Sequence, residues 1–278
     1  MFSAFRLSAL TIGLAMAAAG PARAEERTVI VSGQTVIEIA PGILRGYLSE
    51  EEILDSAAFI PAAPEADSPV QALDTAWAER MHALRGTPRW DMAIRDADLS
   101  FPAATDAFSC ALGFEITEEN TPGLYLLLWR SLADIALSSY SAKIAYQRER
   151  PFMVDDTPIC TPQDEAELRT DGSYPSGHTA LGWGWGLILA QLAPDRAEAV
   201  LNRARAFGES RNVCNVHWYS DVVAGRTVGA AAVARLQADR DFQAAMEAAA
   251  LEIERIDATA STPDRDCVSE AATLKGMP

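Results

Sequence analysis

The sequence predicts a mainly α-helical bundle, and three observations carry that reading. Only one stretch, Thr28 to Ile39, shows the β-branched pattern of strands. Between Thr121 and Glu149, Leu128, Leu132, Ile135 and Ser139 recur at the helical period and fall on one side. Three further runs follow without strand signals between them: Thr179 to Leu192, Ala197 to Arg211 and Val216 to Leu236.

Taken in order, the chain opens with Arg6, an apolar run from about Leu7 to Ala19, and Ala22-Arg23-Ala24. These have the order of a secretory signal, so residues 1–24 are expected to direct export to the periplasm and to be removed. The run is too short to span a bilayer, and no later stretch approaches about 18 apolar residues, so stable membrane insertion is not expected. Without residues 1–24, which hold Arg6, Arg23 and no acid, 21 basic residues face 39 acidic ones, and the formal charge moves from −16 to −18. Nucleic acid is excluded as a partner, and any anion site must rest on close, preorganised cations rather than on long-range attraction. No linker divides residues 25–278, which read as a single helical domain.

Thr28 to Ile39 places β-branched residues on both sides of Ser32-Gly33 and predicts a short hairpin. Pro61 to Pro69 reads as a surface loop, followed by helices over Ala72–Leu84, Arg89–Asp98 and Ala103–Ala111. Thr121 to Glu149 reads as one long helix whose apolar row continues to Lys143; a lysine there either snorkels to solvent or enters a polar pocket. Arg150-Pro151 stops it, because proline disfavours helical geometry in the residue before it. Ser176 is placed to cap the helix that follows. Gly182, Gly184 and Gly186, alternating with Trp183 and Trp185, are read as close helix packing; no strand precedes them as in a dinucleotide fingerprint, and no cofactor is expected. Any exposed part of either tryptophan would be a contact in a homo-oligomer. If the last helix has begun by His217, then His217 and Asp221, four apart, share a face.

Four cysteines, Cys110, Cys160, Cys214 and Cys267, form an even set in a chain expected to reach an oxidising compartment. Three pairings are open; Cys160 with Cys214 would tie two of the motif-bearing loops together.

The chemistry gathers in KIAYQRERP (143–151), PSGH (175–178) and SRNVCNVHWYSD (210–221). A phosphoester resists attack because its oxygens are negative, so a catalyst must neutralise them and hold the reacting atoms in line. Lys143, Arg150 and Arg211 can neutralise, arginine through a fork that bonds two oxygens at once. The helix start at Ser176-Gly177-His178 adds backbone N–H donors. A neutral imidazole whose other nitrogen faces a carboxylate is a nucleophile, which fits His217 with Asp221, and a second, protonated histidine beside the cradle, His178, can hand a proton to the leaving oxygen. His82, the remaining histidine, lies in no such setting.

The spacing as a whole, Lys143 to Arg150-Pro151, then Pro175-Ser176-Gly177-His178, then Ser210-Arg211 to His217 and Asp221, resembles the type 2 phosphatidic acid phosphatase superfamily, which includes vanadium haloperoxidases. Gly172 to Thr179 is similar to the signature of the class A bacterial non-specific acid phosphatases, and the likeness runs over about residues 46–236. It implies a helical fold and metal-independent hydrolysis of small-molecule phosphomonoesters through a phosphohistidine, with a broad substrate range and phosphotransfer as a side activity. His217 would be the nucleophile, Asp221 its orienting partner and His178 the general acid; Lys143, Arg150, Ser176, Gly177, His178 and Arg211 would contact the phosphate. A phosphate-binding protein would need the cations but not the His217/Asp221 pair.

Overall fold

Ser32 and Gly33 adopt positive φ angles of 52° and 72°, as a two-residue hairpin turn requires. They join β1 (Arg27–Val31) to β2 (Gln34–Ala40) as an antiparallel pair, so the expected hairpin is present. An irregularity between Glu38 and Ala40 lets a third strand, β3 (Ile43–Leu44), pair with β2; two residues are too few to announce themselves in a sequence. This computed structural model describes residues 26–256 and 263–275. The expected export signal, residues 1–24, lies outside the described residues.

The rest is helical, as expected: α1 (Pro69–His82), α2 (Pro88–Arg95), α3 (Ala103–Asp106), α4 (Ser109–Leu112), α5 (Pro122–Leu137), α6 (Tyr140–Tyr146), α7 (Pro151–Asp155), α8 (Glu165–Leu168), α9 (Gly177–Leu192), α10 (Ala197–Val213), α11 (Tyr219–Leu236), α12 (Arg240–Ile253) and α13 (Cys267–Lys275). Among the described residues no helix is long and apolar enough to cross a membrane. Prolines set several starts, because the first helical position has no use for an N–H. Pro69 thus begins α1 earlier than Ala72, capped by Ser68, whose hydroxyl accepts from Gln71 N at 3.1 Å.

Two expected helices divide, and a third starts later than expected. Ala103 to Ala111 divides into α3 and α4 at Ala107-Phe108, where the Phe108 ring is buried against Phe207. Thr121 to Glu149 divides into α5 and α6 at Ser138-Ser139, whose hydroxyls donate to the carbonyls of Asp134 and Ala136 at 2.7 Å and compete with the backbone ladder. The apolar row survives the break: Leu128, Leu132, Ile135, Ser139 and Lys143 are all buried. The last expected helix starts at Tyr219, so His217 precedes it.

Two apolar clusters organise the interior. The larger draws on α5, α9, α10, α11 and α12, and includes Val31, Phe242 and Ala249 beyond the span 46–236. The smaller surrounds Cys160 and Cys214 with Met81, Phe152, Val213 and Val216. Helix α9 lies against α5, α10 and α11. Its glycines are contact points, as the sequence predicts: a Cβ at Gly182 would overlap the Phe207 ring, and one at Gly186 would overlap Ala204. Trp185 is fully buried, with its indole N–H on Leu128 O at 3.1 Å, which removes it as a subunit contact. The disulfides are Cys160–Cys214, the pairing that ties the two motif loops, and Cys110–Cys267, which fastens α13 to α4.

Gly229 of α11 packs directly on the backbone of Ala180 in α9, where an added Cβ would overlap the carbonyl group. Alanine favours a helix over glycine by about 1 kcal/mol, but backbone cannot step aside as a side chain can. Gly229→Ala is therefore expected to destabilise the protein by about 1–3 kcal/mol in urea unfolding, with an unchanged slope.

Candidate active site

Each motif enters the site from the end of a helix. Lys143 projects from α6, Arg150 is the extended residue that caps α7, Ser176 caps α9, and Arg211 closes α10. His217 lies in the turn between α10 and α11, where Asn215 takes a left-handed φ of 60°. That turn is fixed on several sides: Arg150 Nη1 donates to Val216 O at 2.8 Å, Asn212 Nδ2 to His217 O at 2.9 Å, and Phe152 N to Asn215 O at 3.3 Å. His82 sits outside it, with Nε2 3.3 Å from Asn215 Oδ1.

The helix starts interlock. Ser176 Oγ accepts from Thr179 N at 3.3 Å, and Ser176 N donates to the Asp221 carbonyl at 3.0 Å, clamping α9 to α11. Gly177 lies close to Ser139 and Lys143, since a Cβ there would stand 3.2 Å from Ser139 Oγ and 3.8 Å from Lys143 Cε. The lysine thus runs beside the N-terminus of α9, where N–H groups have no acceptor within the helix. It enters a polar pocket rather than snorkelling, and is 4% exposed.

His217 meets Asp221 without sharing its helix. Trp218 is the N-cap of α11 and Asp221 its third residue; Asp221 Oδ2 accepts from Trp218 N at 2.8 Å and stands 3.4 Å from His217 Nδ1. On the other side of the ring, Arg150 Nη1 lies 3.1 Å from Nε2. A guanidinium only donates, so Nε2 holds the lone pair and the ring proton sits on Nδ1, towards the carboxylate. His178 Nε2 lies 3.1 Å from the Ala97 carbonyl, which only accepts, so this nitrogen carries a proton and Nδ1 is where a second would sit.

The cations are unequally satisfied. Lys143 Nζ donates to Asp171 Oδ2 at 2.9 Å and Gly172 O at 2.5 Å; Arg150 Nη2 reaches the same Asp171 oxygen at 3.0 Å, and its Nε donates to Leu168 O at 2.9 Å. Arg211 is 2% exposed, yet its Nε and Nη1 have no hydrogen-bond partner among the described residues. Burial, then the Arg150 charge, lowers Lys143 to about 8 and Arg211 to about 10. Burial followed by Arg150, Lys143 and Arg211 holds His217 well below the ordinary imidazole value, and burial followed by Arg211 does the same to His178. Burial raises Asp221, opposed chiefly by Arg148.

The structure brings Lys143, Arg150, His178 and Arg211 close enough to act on His217, sets Asp221 beside it, and puts Ser176 against Asp221 and Gly177 against Lys143. The sequence reading missed the supports of this group. Arg148 and Asp171 stood in or beside the quoted motifs and pair with residues of them, Asp171 with Lys143 and Arg150, and Arg148 with Asp221; Asp74 of α1, the second partner of Arg148, lies outside them. Ser210 Oγ donates to Asp96 Oδ2 at 2.5 Å and accepts from Arg89 Nη1 at 3.0 Å, while Arg203 pairs with Asp96 and Glu270. This buried network fixes the segment whose Ala97 carbonyl orients His178.

The PAP2 superfamily profile matches residues 123–241. The chain is 40% identical over 210 residues to an acid phosphatase of Zymomonas mobilis subsp. mobilis, covering 76% of this chain and 80% of that protein. It is 39% identical over 204 residues to a non-specific acid phosphatase of Providencia stuartii, covering 73% and 82%. A non-specific acid phosphatase of Salmonella typhi is 40% identical over 204 residues, covering 72% and 80%.

The surroundings of the two imidazoles make a titration prediction. With the protein free of anion, nuclear magnetic resonance of the ring protons should place both His178 and His217 below the 6.5 of an unperturbed histidine. Added phosphate should raise both, because a bound anion offsets the cations that oppose protonation.

Proposed function

The chain belongs to the PAP2 superfamily, and on that premise we propose that it is an exported acid phosphatase that hydrolyses small phosphomonoesters through a phosphohistidine on His217. The observation that supports this most is Arg211: a buried guanidinium with two unpartnered nitrogens, its charge acting on both histidines, is arranged for an anion that arrives from outside. A carboxylate behind the neighbouring imidazole makes the arrangement suited to reaction rather than to binding alone. The two disulfides suit an oxidising periplasm.

Substrate phosphate is held by Lys143, Arg150, Arg211 and the N–H groups at Gly177 and His178. Arg150, which in the free protein covers the His217 lone pair, turns its donors to the phosphate oxygens and exposes Nε2. Nε2 attacks phosphorus in line; the N–P bond forms as the P–O bond to the leaving group breaks. Asp221 supports the imidazolium that results, and His178 gives its second proton to the departing alkoxide. A water then attacks the phosphohistidine, returns a proton to His178, and phosphate leaves with His217 neutral again. An alcohol replacing that water gives phosphotransfer. None of these steps assigns a role to a metal.

The pH response follows with a definite sign. His217 must be neutral and His178 protonated, so activity falls as pH rises through the His178 value. In the free protein that value is depressed, and the alkaline limb of kcat/KM is expected below 6.5. The limb of kcat, which reports the substrate-loaded protein, should lie higher because the bound dianion favours the imidazolium. Both are read from p-nitrophenyl phosphate kinetics across pH; activity rising steadily into alkali would overturn the roles.

The same assay tests the nucleophile. The wild-type rate should persist in chelator, vanadate should inhibit, and His217→Ala should lower kcat by at least about a thousand-fold while phosphate still binds within a few-fold. A variant that retains turnover would remove His217 from the mechanism.

A further inference from the structure

Between Lys143 and Arg150 lies another cation, Arg148, which the phosphate chemistry leaves unused. Its side chain is 7% exposed and it bridges two carboxylates of 0% exposure. Nη1 donates to Asp221 Oδ1 at 2.5 Å and to Ser220 Oγ at 2.8 Å. Nη2 donates to Asp74 Oδ2 at 2.7 Å and to Gln71 Oε1 at 2.6 Å. Asp74 in turn accepts from Ser220 N at 2.8 Å and Ser220 Oγ at 2.5 Å, so α1 is fastened to the first turn of α11. Asp74 lies outside residues 123–241.

The two oxygens of Asp221 thereby have separate duties. Oδ1 takes Arg148, while Oδ2 takes Trp218 N and faces His217 Nδ1. A carboxylate held by one oxygen alone could rotate about its bond to the chain; held at both, it cannot turn away from the imidazole. The planar fork of arginine is needed to span Asp221 and Asp74 together, which a lysine point charge would not do.

We propose that Arg148, anchored by Asp74, is a positioning residue of the reaction, holding Asp221 as an oriented anion behind His217 while touching no part of the substrate. This rests on His217 being the nucleophile. Around Asp221 stand Arg148 from the segment after α6, Asp74 from α1, Tyr174 from the loop before α9, His217 before its own helix, and, farther off, Lys143 and Arg150. Burial favours the protonated acid and Asp74 adds to that; Arg148 is the foremost group opposing both. Without it, Asp221 takes up a proton at higher pH, and a neutral acid gives the phosphohistidine no support. An enzyme working in acid is exposed to that loss.

Steady-state kinetics of Arg148→Met and Arg148→Lys on p-nitrophenyl phosphate across pH, with phosphate inhibition constants and thermal unfolding, test the proposal. Arg148→Met should lower kcat about 10- to 100-fold. Its phosphate inhibition constant should stay within about two-fold, since the cradle cations remain. Its acid limb should move up by about one pH unit or more. Arg148→Lys keeps the charge without the fork, so kcat should fall while the acid limb stays near wild type; it supplies the test if the methionine variant does not fold. Wild-type kcat in either variant would overturn the proposal, as would a kcat loss matched by weakened phosphate binding with an unmoved acid limb. His217→Ala is the control: turnover in that variant sinks the nucleophile reading, whereas an inactive His217→Ala beside an Arg148→Met of wild-type profile sinks only the role of Arg148.

Discussion

Keeping three cations out of water in one place is the constraint on which the rest of this structure depends. Each buried charge costs several kcal/mol unless neighbours replace its hydration. Lys143 and Arg150 have such neighbours in Asp171 and in the carbonyls of Gly172, Leu168 and Val216. Arg211 is left short of partners. A flexible framework would relieve that deficit by letting the guanidinium swing to solvent. The glycine contacts that bring α9 against α10 and α11, and the disulfide beside the His217 turn, prevent it. Stability is given up at one point so that an anion can restore it.

Behind the cradle the groups form one row. Arg150 faces His217, His217 faces Asp221, Asp221 faces Arg148, and Arg148 faces Asp74. Each member stabilises the next, and a change at one end is felt along the row. His178 is held by a different device: a backbone carbonyl, fixed in turn by the Arg89, Ser210, Asp96 and Arg203 network. His217 and His178 are thus oriented by separate parts of the interior, and each can be disturbed without the other.

Local rules made much of this legible in the sequence. The Ser32-Gly33 turn, the Ser176 cap and the glycine row of α9 each depend on residues within a few positions, and each stands where its pattern placed it. The candidate site residues stood out because cations, imidazoles and a carboxylate at those intervals have few joint uses. What was hidden is partly local and partly long-range. Ser138 and Ser139 could have continued a helix, and only their hydroxyl bonds to the preceding turn break it. The meeting of Arg148 with Asp74 spans 74 positions, and nothing in either neighbourhood names the other. The His217/Asp221 contact was expected on one helix face, yet it arises from a capped turn, where an interval of four also brings side chains together.

The fastening of α13 has a consequence for how the protein matures. Glu270, in that last helix, shares the buried Arg203 with Asp96 and is held beside the bundle by Cys110–Cys267. Every residue proposed to touch phosphate is synthesised before residue 267, but part of the counter-charge behind His178 is not. A chain that has emerged through α11 carries a full set of reacting groups around an unbalanced interior. Helix α13 must dock, and Cys110 must join Cys267, before the support behind His178 is complete. The support of the candidate site is thereby complete only once α13 is in place.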